Sequence, residues 1–295
     1  MPIYDMPLWR PPSEGTNLIL QATLGCSFNA CTFCSMYTDK AFRVRALDEV
    51  FADIDDAAGD WPDATRVFLA DGDALTLPMD HLAAVLDRLC ERFADLQRVS
   101  CYATPHNLAK KSAGDLARLR EKRLSLVYLG IESGSDDILR RIRKGDARLM
   151  ERALLAADAA GIKVSATVIL GLGGTRLWRE HIERTAGLIN RMAPRYLSTL
   201  QLGLDPSLES GFREAFAKPD GVDFVRQDDD GMLAEQALLL ERLDPPRPVI
   251  FRSNHASNAL ALAGTLPRDR DKLLAQLRAA QAGDMALRPL ASRGF

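Results

Sequence analysis

The sequence predicts an α/β protein built as a full or partial parallel β/α barrel of about six or seven strands. Three observations carry this. Strand-like and helix-like segments alternate almost to the end of the 295 residues, the pattern of βαβ units and a parallel sheet. Polar, chemistry-bearing residues follow the strands, where the working rim of such a barrel lies. No linker, low-complexity tract or repeat divides the chain. Residues 16–283 therefore read as one domain, between an N-terminal extension of residues 1–15 and a tail of residues 284–295.

The elements follow in order. Residues 18–24 are an apolar run of strand character. Residues 46–58 read as a helix, with Leu47, Val50, Phe51 and Ile54 on one face. Residues 66–70 are a short strand. The helix of residues 78–93 carries Leu82, Val85, Leu86 and Leu89, and Pro78 suits its first turn. Residues 99–103 read as a strand, 112–122 as a helix and 124–131 as a β-branched-rich strand. Two helices, 136–142 and 149–160, come next, the second closed by Gly161. A strand at 163–170, a helix at 177–192 and a strand at 196–204 follow. Residues 209–230 form a long irregular stretch, read equally as a lid or a solvated loop. A helix at 232–243 stops at Asp244-Pro245-Pro246. Residues 249–253 are the seventh strand and residues 269–282 the last helix.

Composition narrows the function. With 38 basic and 40 acidic residues, net charge is −2, so nucleic acid is not expected as a partner. Hydrophobic residues make up 47%, ample for a folded core. No run of 18 apolar residues is present, so no transmembrane helix is expected. The first ten residues do not read as a secretory signal. The expected location is the cytoplasm.

The five cysteines are the informative count. Cys26, Cys31 and Cys34 lie on one loop after the first strand, whereas Cys90 and Cys101 stand apart and read as small buried hydrophobes. A tight cluster in a reducing compartment points to metal. Three thiolates can hold three irons of a [4Fe–4S] cube and leave the fourth iron open. A structural zinc site would want four ligands. No histidine falls between residues 18 and 80, so zinc would need a remote ligand.

The other strands also lead into polar segments: Asp71-Gly72-Asp73, Thr104-Pro105-His106-Asn107, Glu132-Ser133, Gly171-Leu172-Gly173-Gly174, Asp205, and Asn254-His255-Ala256-Ser257-Asn258. The N-terminal strand ends are poorer in such groups. His81 and His181 fall within predicted helices and read as surface residues. The basic runs 118–123 and 140–144 read as solvated helix faces.

The cysteine loop, with Phe33 just before its last cysteine, resembles that of the radical S-adenosylmethionine (SAM) superfamily. The resemblance covers residues 18–274. The commonest spacing there is Cys-x₃-Cys-x₂-Cys, and here the first gap is x₄. The segments Trp9-Arg10-Pro11-Pro12-Ser13-Glu14, Lys40-Ala41-Phe42-Arg43-Val44-Arg45 and Phe251-Arg252-Ser253-Asn254-His255-Ala256-Ser257-Asn258 resemble a bacterial subgroup labelled iron–sulfur oxidoreductases or likened to oxygen-independent coproporphyrinogen oxidases.

That resemblance implies a radical SAM enzyme with a [4Fe–4S] cluster on Cys26, Cys31 and Cys34 and S-adenosylmethionine on its open iron. Reductive cleavage would give a 5′-deoxyadenosyl radical that acts on a small-molecule substrate. A one-electron donor of flavodoxin or ferredoxin type is the implied partner. Asp71, Gly72 and Asp73 stand where the family has Gly-Gly-Glu, which receives the SAM amino group. Glu132 and Ser133 stand at the position that bonds the ribose or carboxylate. Ile169 and Gly171 lie in the segment against adenine, and Phe33 is a further adenine neighbour. Arg43 would orient a carboxylate. His255, Ser257 and Asn258 are the substrate-side candidates. Two alternatives stay open: the same cluster making a 3-amino-3-carboxypropyl radical, or a non-catalytic iron–sulfur or zinc module.

Overall fold

The apolar run that begins at Leu18 divides in a computed structural model of the protein, which describes residues 4–294. Strand β1 is Leu18–Gln21 and β2 is Thr23–Leu24. β2 pairs antiparallel with β3 (Arg43–Val44), and this two-stranded ribbon brackets the cysteine loop.

The chain forms two interleaved units. One comprises the described residues through Asn29, Ser35–Leu129 and Leu155–Val164. The other comprises Ala30–Cys34, Gly130–Leu154 and the described residues from Ser165 onward.

In the first unit the chain continues through α1 (Leu47–Asp60), β4 (Arg66–Ala70), α2 (Met79–Arg92), β5 (Arg98–Ala103), α3 (Pro105–Lys110) and α4 (Ala113–Glu121) to most of β6 (Leu124–Glu132). β1, β4, β5 and β6 pair in parallel, with Leu18 opposite Val67, Val67 opposite Val99 and Tyr102 opposite Tyr128. One sheet face buries Val67, Leu69, Val99 and Val127 together with Ile54, Leu82, Val85 and Leu116 of the helices. Strands buried on both faces read as continuous apolar runs. On the other face Ile19, Phe68 and Ala70 pack with Tyr4, Leu8, Tyr102 and Tyr128. Buried Glu14 accepts bonds there from Arg98, Ser100 and Tyr128, which compensates its desolvation.

The second unit holds α5 (Asp136–Arg141), most of α6 (Ala147–Ala159) and most of β7 (Lys163–Leu170). It also holds α7 (Gly174–Arg191), β8 (Tyr196–Gln201), α8 (Pro206–Ala217), α9 (Asp229–Arg242), β9 (Val249–Ser253), β10 (Leu262–Leu266) and α10 (Arg270–Gln281). β7, β8 and β9 are parallel. Side-chain oxygens start several helices: Thr104 caps α3, Ser112 α4, Ser135 α5, Asp205 α8 and Asp228 α9.

The eight-stranded sheet has the order β1-β4-β5-β6-β7-β8-β9-β10. Each new strand is added beyond the last, with no reversal of the kind that defines a doubly wound sheet. The α/β class and the β/α-barrel succession expected from the sequence are thus present.

Five expectations are corrected. The main sheet has an eighth strand, β10, antiparallel to β9. Its Leu-Ala-Gly-Thr-Leu sequence is short and glycine-broken, so only pairing along β9 makes it a strand. Residues 209–230 are not one irregular stretch, because α8 occupies their first part. Pro206 enters its first turn, and Phe212 and Phe216, one turn apart, pack around Phe224 at centroid distances of 4.8 and 5.0 Å. His181 is fully buried, and Cys90 is exposed rather than buried. The run 140–144 is not simply solvated: Arg141 is buried, bonding to Phe216 O, Asp137 and Asp220.

Candidate functional site

The candidate polar residues follow the ends of the strands. In the first unit, β4 ends at Ala70 and runs into Asp71-Gly72-Asp73. Asp71 has φ +66°, a left-handed conformation that aspartate tolerates better than most residues. Its carboxylate is filled by donors of the protein, Gly25 N, Lys40 Nζ and Gln21 Nε2. Gly72 lies against Cys26: a Cβ there would sit 2.5 Å from Cys26 Cβ and 3.0 Å from its Sγ. Gly72 N also donates to Gly25 O at 2.9 Å.

Asp73 differs from Asp71. It is completely buried, and only one of its oxygens is used. Oδ2 accepts from Ser27 Oγ at 3.1 Å, from Thr104 Oγ1 at 2.9 Å and from Asn107 Nδ2. Oδ1 is buried with no partner. Burial pushes the Asp73 pKa up, against the lowering effect of Asn107, Thr104 and Ser27 and of the Thr104 backbone. An unused buried carboxylate oxygen is costly unless a cation or donor meets it. Beside the loop, Phe28 stacks on His106 with centroids 5.4 Å apart. Arg43 is half-exposed and donates to Glu49 Oε2 at 3.1 Å, an ion pair at the start of α1.

In the second unit the loop residues Cys31, Phe33 and Cys34 are each partly buried, and Thr32 N donates to Ile142 O at 3.3 Å. Glu132 ends β6 at φ +60°, strained for a residue with a Cβ. Its Oε1 pairs with Lys144 Nζ at 3.0 Å, and its buried Oε2 has no partner. Burial alone would lower the Lys144 pKa, but Glu132, Cys31 and Cys34 together hold it above the ordinary lysine range. Sequence reasoning missed Lys144, whose only signal was its place in a basic run.

Ser133 Oγ bonds His181 Nδ1 at 2.7 Å, and His181 Nε2 bonds Ile169 O at 3.0 Å. A carbonyl only accepts, so Nε2 carries the proton and Ser133 donates to Nδ1. Burial lowers the His181 pKa to about 4, which keeps the ring neutral. The Ser133 hydroxyl also accepts from Ser135 N at 3.0 Å, so both its roles are taken. This network ties the end of β6 to the end of β7.

Gly171 N donates to Glu235 Oε2 at 2.8 Å, and Gln227 Nε2 donates to Glu235 Oε1 at 2.8 Å. Glu235, also missed in the sequence, is fully buried on α9, and burial pushes its pKa up to about 7. The folded chain therefore keeps this proton over a range where the unfolded chain has lost it. Stability should fall as pH rises from about the ordinary carboxylate range toward about 7. The shift corresponds to at most ~3 kcal/mol. Glu235→Gln should flatten the dependence of melting temperature on pH between these limits. An unchanged slope in the variant would show that Glu235 is not the group titrating.

His255, Ser257 and Asn258 come together in one loop. His255 Nδ1 lies 2.8 Å from Ser257 Oγ, and Ser257 Oγ donates to Asn258 Oδ1 at 3.3 Å. Asn258 is buried, accepting from Gln201 N and donating to Thr199 O and Ser253 Oγ. Arg288 Nη1 donates to the carbonyls of His255, Ala256 and Asn258. Burial, then the Arg288 charge, lowers the His255 pKa.

Among the described residues no three His, Cys, Asp and Glu side chains already stand in position to hold a metal ion. The cysteines are donors strung along one loop. No helix of the described residues is long and apolar enough to cross a membrane.

A parallel β/α succession whose first strands open into a three-cysteine loop defines a class of iron–sulfur enzyme in which the rim of the sheet carries the chemistry. The profile of the Radical SAM superfamily matches residues 20–189, more than half of the chain. The chain belongs to the radical SAM superfamily.

Three solved structures show the same fold. Coproporphyrinogen III oxidase (HemN) from Escherichia coli, a radical SAM enzyme, matches with a TM-score of 0.57 and 17% identity, over 77% of this chain and 52% of its own. The radical SAM methyltransferase TsrM from Kitasatospora setae, with cobalamin and a [4Fe–4S] cluster bound, gives 0.55 and 13%, over 90% and 61%. The FeFe-hydrogenase maturase HydG from Carboxydothermus hydrogenoformans gives 0.50 and 18%, over 89% and 58%. This chain thus spans between 52% and 61% of the length of these three. No curated protein matches the sequence.

The cofactors of the family are a [4Fe–4S] cluster and S-adenosylmethionine. The side chains present fit both: three thiols on one loop, the Gly72 cradle against Cys26, and unpartnered carboxylate oxygens on Asp73 and Glu132.

Proposed function

We propose that this enzyme holds a [4Fe–4S] cluster on Cys26, Cys31 and Cys34 and cleaves S-adenosylmethionine reductively to act on a small-molecule substrate. The observation that carries the reading is the cysteine loop after β2 together with the buried, unpartnered Asp73 Oδ1. Cys26, Cys31 and Cys34 would hold the cluster, which would supply the single electron needed to break the C5′–S bond of SAM, with methionine as the leaving group and the 5′-deoxyadenosyl part left to take hydrogen from the substrate.

The protein's own residues bind and orient. Asp73 Oδ1 accepts a hydrogen bond from the SAM ammonium, while Ser27, Thr104 and Asn107 hold the carboxylate in place from its other oxygen. Glu132 Oε2 accepts from a ribose hydroxyl, and Lys144, steadied by Glu132 Oε1, offers a cation to a carboxylate. The Ser133–His181–Ile169 bonds position that strand end, and Glu235 sets the Gly171 backbone against adenine beside Phe33. Gly72 leaves room for Cys26. Arg43 serves the base of the ribbon through Glu49 rather than a ligand. His255, with Ser257 and Asn258 behind it, faces the substrate. A flavodoxin- or ferredoxin-type protein supplies the electron, in the cytoplasm.

Anaerobic reconstitution should load roughly four irons per chain. Dithionite should then convert SAM to 5′-deoxyadenosine, seen by mass spectrometry. Methylthioadenosine instead would mean 3-amino-3-carboxypropyl chemistry, and intact SAM would overturn both readings. Asp73→Asn removes the charge that meets the ammonium. Loss of one charge-assisted bond should weaken SAM binding by roughly 10-fold or more. Iron content should stay at the parent value. Equal SAM affinity in the variant would remove Asp73 from the site.

A further inference from the structure

One buried carboxylate of the first unit, Asp71, has its oxygens taken by donors of the protein itself. Asp71 is fully buried and Lys40 is 8% exposed. Asp71 Oδ2 accepts from Gly25 N at 2.8 Å and pairs with Lys40 Nζ at 2.9 Å. Gly25 immediately precedes Cys26, and Lys40 lies six residues after Cys34. One carboxylate oxygen therefore holds both ends of the loop that carries the three cysteines.

The contact is close on the backbone as well. Gly25 has φ +70°, and a Cβ there would lie 2.8 Å from Lys40 O. The remaining valences are also filled. Lys40 Nζ donates to Asp5 O at 2.7 Å and Pro7 O at 3.2 Å, and lies 3.1 Å from Asp5 Oδ1. Gln21 pairs reciprocally with the Asp5 backbone, both bonds at 2.9 Å, and donates to Asp71 Oδ1 at 3.3 Å. Trp9 Nε1 donates to Met36 O at 2.7 Å, joining the N-terminal segment to the loop again.

We infer that Asp71 and Lys40 form a clasp that closes the base of the cysteine loop, acting as positioning residues for cluster retention rather than as SAM ligands. The inference rests on the cluster assignment proposed above. A buried pair that also satisfies backbone donors and acceptors is costly to break by removing one partner. Partners behind metal ligands typically govern affinity by 10- to 100-fold. Asp71 stands where the resembled motif has glycine. At φ +66° it occupies backbone space open to glycine, and it adds a carboxylate that glycine lacks.

Asp71→Gly, Asp71→Asn, Lys40→Met and the double variant Asp71→Asn/Lys40→Met test this. Glycine suits the backbone at this position and asparagine tolerates it, so these variants isolate the clasp from strain. Iron per chain, the rate of iron loss to a chelator, and the electron paramagnetic resonance of the reduced cluster are measured against the parent. Iron loss should quicken about 10-fold or more in each single variant. The double variant should lose iron no faster than the worse single one, since the two residues act through one contact. Parent-like retention in both Asp71 variants would overturn the clasp. If the parent itself takes up no iron, the cluster assignment fails instead. The clasp is then read from hydrogen exchange of the Gly25 amide in the metal-free chain: protected in the parent and faster in Asp71→Gly, with equal rates overturning it.

Discussion

Replacing Cys26, Cys31 or Cys34 by alanine is expected to leave a folded protein that holds little iron and no longer cleaves SAM. The open-iron reading uses all three thiolates, one per iron, and no fourth cysteine neighbours them in sequence. Losing one leaves a cube with two protein anchors and two exposed irons. The fold should tolerate the change, because all three residues are only partly buried. Substitutions away from the core typically move stability by no more than about 0.5 kcal/mol. The remaining cysteines are controls of opposite kind. Cys90→Ala, at an exposed position, should change neither iron nor stability. Cys101→Ala should cost stability by opening a small gap in β5, where the thiol is wholly buried and its pKa pushed up, yet leave iron unchanged. Parent-level iron in any of the three loop variants, with circular dichroism unchanged, would remove that residue from the ligand set.

Gly72→Ala should damage the fold and the cysteine loop together. Its Cβ would stand 2.5 Å from Cys26 Cβ and 2.7 Å from Cys26 Cα. Neither atom is the far end of a flexible side chain, so only backbone movement relieves the clash. The bond from Gly72 N to Gly25 O, at 2.9 Å, opposes that movement. Overpacking of this kind typically costs about 1–3 kcal/mol. The atoms displaced belong to a proposed ligand, so iron retention should fall together with melting temperature. Gly211→Ala on α8 is the matched control, with nothing within 4 Å of its added methyl. There the helix should gain roughly 0.5–1 kcal/mol. A Gly72→Ala protein with the melting temperature and iron content of the parent would disprove the close approach.

Much of this was legible in the sequence because the signals are local. The 3.6-residue spacing of Leu82, Val85, Leu86 and Leu89 defines α2 without reference to any other segment, and the apolar run into Glu132 defines β6. Three cysteines within a span of nine residues form a local pattern, readable without reference to any other segment. What failed was nonlocal. Strand β10 exists through its ladder to β9, and His181 is buried because β6 and β7 supply partners for both ring nitrogens. α8 was obscured by the Pro and Gly signals around it, although Asp205-Pro206 is itself a helix start.

The contrast between Asp71 and Asp73 shows the division most clearly. The sequence by itself determined the α/β class, the clustering of three cysteines on one loop and the presence of two carboxylates after β4. Only the tertiary structure decided that one is saturated by Gly25, Lys40 and Gln21 while the other keeps an unpartnered oxygen. Likewise it brought Lys144 to Glu132 across a strand end and helix α5. Periodicity and donor type are properties of neighbouring residues. Desolvation, and the partner that relieves it, depend on segments that meet only when the chain folds.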